Sequence, residues 1–105
     1  MPRNLVLASL ALLCLGACAS NGVRYVDPSG KEYTGAIHPV TNTITADIKG
    51  KAYRGPFQVN DWGQAKSTLT SAGADPLYCD FHFQALKVKG TCTDLSGGDY
   101  SLRSR

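Results

Sequence analysis

The stretch LYCDFHFQALKVKGTC, Leu77 to Cys92, alternates apolar and polar residues with period two on both sides of Gln84 to Lys87. A turn over those four residues folds the halves together and pairs Phe83 with Val88, Phe81 with Gly90 and Cys79 with Cys92. Tyr78, Asp80, His82, Lys87, Lys89 and Thr91 then share the opposite, polar face. A one-residue slip would exchange the two faces, so the coincidence of the apolar sets specifies the register as well as the hairpin. The Phe81 ring is expected over the bare backbone of Gly90.

The same test succeeds upstream. Ile44, Ala46 and Ile48 share one face, and Tyr53, Gly55 and Phe57 share another. Lys49-Gly50 between them fits a two-residue hairpin turn, because glycine tolerates the positive φ such turns require. The turn pairs Ile48 with Lys51, Ala46 with Tyr53 and Ile44 with Gly55. Gly30 to Gly35 and Gly50 to Gly55 repeat the pattern GKxYxG, and Gly98-Asp99-Tyr100 echoes its start. A recurring strand-entry solution accounts for this, with a turn glycine at the start and a tyrosine on the apolar face.

Asn60 to Gly73 is the ambiguous segment. Asp61 and Gly73 could bound a helix, yet Ser67-Thr68-Leu69-Thr70-Ser71 is rich in hydroxyls that compete for backbone groups. We expect a strand over Ala65 to Ala72. The predicted fold is all-β: a small antiparallel meander of about 7–8 strands closing into a barrel or sandwich, with one disulfide.

Ahead of this pattern lies LVLASLALLCLGA, an apolar run behind Arg3. It is shorter than the roughly 20 residues that span a bilayer as a helix and has the form of a secretory signal. Leu15-Gly16-Ala17-Cys18 resembles the lipobox of bacterial lipoproteins, in which the cysteine is acylated and begins the mature chain. The resemblance implies a signal peptide over 1–17, lipidation at Cys18, a tether over 18–22 and a single β-domain over 23–105. Cys14 lacks small residues beside it and falls in the discarded segment. Ala19 follows the acylated position where an aspartate would signal inner-membrane retention, so the implied location is the outer membrane, on its periplasmic side. Several acyl chains, at about 0.8 kcal/mol per buried methylene, hold a protein stably.

Loss of Arg3 with the signal takes the formal charge from +3 to +2, too weak and dispersed to imply nucleic acid. In an oxidising compartment Cys79 and Cys92 are expected to form a disulfide. Asp80 and His82 point the same way on one strand, but neither a second spaced ligand pair nor a place for His38 completes a metal site. No nucleophile elbow or phosphate-cradling glycine loop is present in the sequence, so neither an enzyme nor a cofactor is expected.

Ser96-Gly97-Gly98-Asp99-Tyr100 and Ser29-Gly30-Lys31-Glu32-Tyr33 resemble the SGxxY loop of small bacterial lysozyme-inhibitor lipoproteins. That resemblance implies a β-barrel that inserts a serine into the lysozyme cleft, helped by a lysine such as Lys31. The long cysteine-containing segment that follows the motif in that family is missing after Tyr100. More broadly, Gly50 to Phe57, the Ser/Thr-rich strand, Leu77 to Phe81, Gly90 to Cys92 and Gly97 to Leu102 are similar to small β-rich proteobacterial lipoproteins without assigned activity. The expected role is a non-catalytic binding or structural module, partnered by the membrane through its lipid and by an envelope protein or cell-wall component. Its expected working surface is Tyr78, His82, Lys87 and Lys89, with Ser29 and Ser96 as the inhibitor alternative.

Overall fold

The structure, a computed structural model, describes residues 21–85 and 87–105. The expected signal peptide over 1–17 and the expected lipidation site Cys18 lie outside the described residues. The chain forms β1 (Asn21–Val26), β2 (Glu32–His38), β3 (Thr43–Ile48), β4 (Lys51–Pro56), β5 (Gln58–Val59), β6 (Gln64–Leu69), β7 (Leu77–Gln84), β8 (Lys87–Asp94) and β9 (Asp99–Ser104). Every pairing is antiparallel, and the sheet order is β4-β3-β2-β1-β9-β8-β7-β6-β5. The first and last strands are therefore neighbours, with Arg24 opposite Arg103.

The two margins of this sheet meet. Arg54 and Thr70 exchange both backbone hydrogen bonds at 2.9 Å, giving a nearly closed barrel. Arg54↔Thr70, Gln58↔Lys66 and Val59↔Ala65 all belong to one register, so β4 and β5 are a single bent strand shared between β3 and β6. The bend has a local cause: Pro56 has no N–H to donate, and the Phe57 N–H donates to the Asn42 carbonyl at 3.0 Å. Counted this way the barrel has eight staves, an up-and-down meander that leaves little exposed edge.

Both hairpin registers expected from the sequence are present. Ile48 faces Lys51, Ala46 faces Tyr53 and Ile44 faces Gly55; Phe83 faces Val88, Phe81 faces Gly90 and Cys79 faces Cys92. Cys79 and Cys92 form the disulfide. Lys49 and Gly50 both take positive φ, 54° and 77°, the backbone of a two-residue turn matched to strand twist. The ambiguous segment is a strand with its boundaries moved: β6 spans Gln64–Leu69 rather than Ala65 to Ala72, and only the Thr70 bridge extends it. β1 begins inside the range 18–22 expected as a tether, with Asn21 and Gly22 paired with Ile37 and Ala36.

Val23, Tyr25, Ile37, Ile44, Leu69, Cys92 and Leu102 are fully buried inside the barrel. Phe57, Phe81 and Phe83 stack near one end, with ring centroids 5.6 to 6.0 Å apart. We term this the proximal end; it holds the start of β1, the end of β9 and the turns after β2, β5 and β7. The distal end holds the turns after β1, β3, β6 and β8, with Tyr33 packed edge-on against Tyr100 at 6.3 Å.

Candidate functional site

On the outer wall, the alternation of β6, β7 and β8 sends every second side chain to solvent, and the register lines them up in rows. One row runs Gln58, Lys66, Asp80, Thr91; the next runs Gln64, His82, Lys89 and on to Arg103. Between these rows lies an open groove of about 860 Å³, lined by the polar side chains of Gln58, Asn60, Gln64, Lys66, Asp80, His82 and Lys89 and by Pro56, Phe57, Ala65, Phe81 and Gly90. It offers two ammonium groups, a carboxylate, an imidazole and three amides within one concave surface. This set suits hydrogen-bonded recognition of a polar partner.

Among the sequence-predicted residues, His82 and Lys89 line this groove. Tyr78, 47% exposed, lines an adjoining groove of about 570 Å³ that shares Lys66 and Asp80. Lys87 stands at the proximal tip of β8 in a separate basic recess. Gln58, Gln64 and Lys66 were not singled out in the sequence. The alternation of QAKSTL marks Gln64 and Lys66 as outward, but the connection from β6 to β7 is too long for turn geometry to give their register. Among the described residues, no three His, Cys, Asp or Glu side chains cluster as metal ligands.

Ser29 and Ser96 are carried to the distal end, away from the groove. Each sits in a three-residue hairpin loop of one design. The Asp27 Oδ1 accepts from the Ser29 N–H (3.0 Å), the Ser29 hydroxyl (2.7 Å) and the Lys31 N–H (3.0 Å). The Asp94 Oδ1 accepts from the Ser96 N–H (3.0 Å), the Ser96 hydroxyl (2.8 Å) and the Gly98 N–H (2.7 Å). Gly30 and Gly97 supply positive φ values of 93° and 89° that let the next residue re-enter the strand. Asn60 builds a third copy, accepting from the N–H groups of Trp62 and Gln64, both at 2.9 Å.

These bonds set the electrostatics of the distal end. The Ser29 hydroxyl, followed by the backbone N–H groups of Lys31 and Ser29, holds Asp27 below its ordinary pKa. The Gly98 N–H, followed by the Ser96 hydroxyl, does the same for Asp94. Lys49 adds a smaller push in the same direction to both. Each serine thus donates its hydroxyl proton inside its own turn. The signal in the sequence was the shared DxSG rather than SGxxY.

No known family, curated protein or solved structure matches this chain.

Proposed function

We propose that the chain is a lipid-anchored envelope lipoprotein, held by Cys18 at the periplasmic face of the outer membrane, that binds a polar partner through the outer wall of its barrel. The observation that carries this reading is the division of the two faces. Val23, Tyr25, Ile44, Leu69 and Leu102 occupy the interior, while the concave polar groups lie outside on β5 to β8. A small barrel filled by its own side chains has its wall and rims left for recognition. The sequence LGAC supports the anchoring half of the proposal.

The test is a photo-crosslinking amino acid at His82 in the full chain, expressed in cells. Capture of one discrete envelope component, lost when Lys66 and Lys89 are both changed to Ala, supports the reading. Crosslinks that are absent, or indifferent to those changes, remove the groove as the binding site.

The lysozyme-inhibitor alternative would use Ser29 or Ser96. Both serines stand at an exposed rim, but their hydroxyls are committed to Asp27 and Asp94, which favours a turn-building role.

A further inference from the structure

Five basic residues gather on three adjacent strands toward the proximal end. Lys89 faces Arg103 across β8 and β9, and Arg103 faces Arg24 across β9 and β1. Lys87 and Arg105 extend the group to the rim, and the five line one recess of about 370 Å³ with no acid in its lining among the described residues. Like charges directly opposite on neighbouring strands repel, and here two such pairs share Arg103. The one ion pair among the described residues is Arg24 with Glu32, at 3.7 Å. Lys87, Lys89, Arg103 and Arg105 therefore lack an acidic partner at ion-pair distance among those residues.

The same end carries exposed apolar groups. Trp62 and Val40, each 81% exposed, occupy the turns after β5 and β2, and Val59, 45% exposed, ends β5 just before the Trp62 turn. The Trp62 turn is fixed to the barrel, since the Phe83 N–H donates to the Gly63 carbonyl at 2.8 Å and the Asn60 bonds brace it. Tryptophan on the same rim as flexible cations, with the turns that carry Trp62 and Val40 flanking the basic strands around the barrel, is the composition that favours a membrane interface. Asp61 is the acid in that turn.

Asn21, where β1 begins, is at this end too. Only Ala19 and Ser20 lie between it and Cys18 in the sequence, three chain steps that can span at most about 11 Å.

We infer that the proximal end docks on a bilayer surface rich in anionic phospholipid, with Trp62 and Val40 entering the interface and Lys87, Lys89, Arg103 and Arg105, the four cations without an ion-pair partner among the described residues, contacting headgroup phosphates. The inference rests on the anchoring reading for the height of the barrel above the membrane; the ionic contact stands apart from it. A nucleic acid would meet the same charges but gives no use for the apolar turns. Docking also points the distal loops away from the membrane and leaves the β5 to β8 wall facing sideways.

Trp62 is the sole tryptophan of the chain and reports on this contact directly. The full-length lipidated protein, purified in detergent, is diluted into preformed vesicles of phosphatidylcholine with or without phosphatidylglycerol. Flotation reports anchoring; Trp62 emission and acrylamide quenching report docking. The expected result is flotation with both vesicles, and a blue-shifted, quencher-protected Trp62 only with phosphatidylglycerol, reversed by high salt. Lys87→Ala with Arg103→Ala, two cations outside the β5 to β8 groove, should shift the docked population roughly 30-fold toward the undocked state at unchanged flotation. Circular dichroism confirms the fold of that variant. Flotation with identical Trp62 signals on both vesicles overturns docking and leaves anchoring intact. Failure to float overturns anchoring; docking then stands if the Trp62 response still follows phosphatidylglycerol, and falls if it does not.

Discussion

Tyr25 on β1 reaches across β2 and donates its hydroxyl to the Thr45 carbonyl on β3 at 2.8 Å. The ring can cross because Gly35 lies beneath it: a Cβ there would collide with the Thr45 carbonyl and stand 2.6 Å from the ring. Burial raises the Tyr25 pKa far above its ordinary value, so the phenol stays a proton donor at any pH the protein would meet. Three strands are thus tied by one side chain. Tyr25→Phe should cost about 1 kcal/mol by removing the bond alone. Gly35→Ala should cost about 2–3 kcal/mol, because backbone as well as ring must move. Urea unfolding followed by circular dichroism distinguishes the two, and equal costs would show that the crossing is loose.

The Cys79–Cys92 bridge joins residues that already face each other within β7 and β8. Its benefit therefore falls mainly on the unfolded chain, where it closes a loop of about 14 residues and is worth roughly 3 kcal/mol on the chain-entropy account. Replacing both cysteines by Ala should lower stability by that order while preserving the β spectrum. Non-reducing mass spectrometry should find the linked peptides in the native protein. Free thiols at both positions would refute the register.

The hairpins β3–β4 and β7–β8 could be read from sequence because two residues separate their paired ends, which turns register into counting. Barrel closure could not. Arg54↔Thr70 depends on Pro56 lacking an N–H and on Phe57 donating to Asn42, a residue on another turn. The groove divides in the same way. His82 and Lys89 come from one legible hairpin, whereas Gln64 and Lys66 arrive through the pairing of β6 with β7 across a long connection, and Gln58 through the bent β4–β5 strand. The row from Lys89 through Arg103 to Arg24 is less legible still, because it needs the pairing of β1 with β9 from opposite ends of the sequence.

Asp27 and Asp94 predict acid sensitivity with a definite sign. Their carboxylates are held below the ordinary value of 3.8 in the folded state, so the unfolded chain binds protons first as the pH falls. The stability they contribute is present above that value and is lost as the pH drops through their folded values. Asn60 shows that an asparagine supports the same turn. Asp27→Asn with Asp94→Asn should therefore keep the loops and flatten the decline of the urea midpoint below pH 3.8. An unchanged acid slope would mean these two groups do not govern it.

If the serine hydroxyls are turn braces, Ser29→Ala and Ser96→Ala should lower the Tm slightly and affect no partner. The full chain at high micromolar concentration should leave lysozyme turnover unchanged. Inhibition by the native protein, relieved by Ser96→Ala or Ser29→Ala, would instead assign those rims to lysozyme.

Cys18 and Cys14 stand four residues apart but differ in their neighbours: Gly16-Ala17 precedes one and Leu12-Leu13 the other. The anchoring proposal makes the two cysteines unequal. Acylation at Cys18 should add a diacylglycerol thioether detectable by mass spectrometry and send the protein into the detergent phase. Cys18→Ser should abolish both, while Cys14→Ser should change neither, because that residue leaves with the signal. The paired comparison separates lipid anchoring from simple retention of the apolar run, since both variants keep that run. A Cys18→Ser protein with native mass and native fractionation would end the lipoprotein reading, and the barrel would need another reason to be at a membrane.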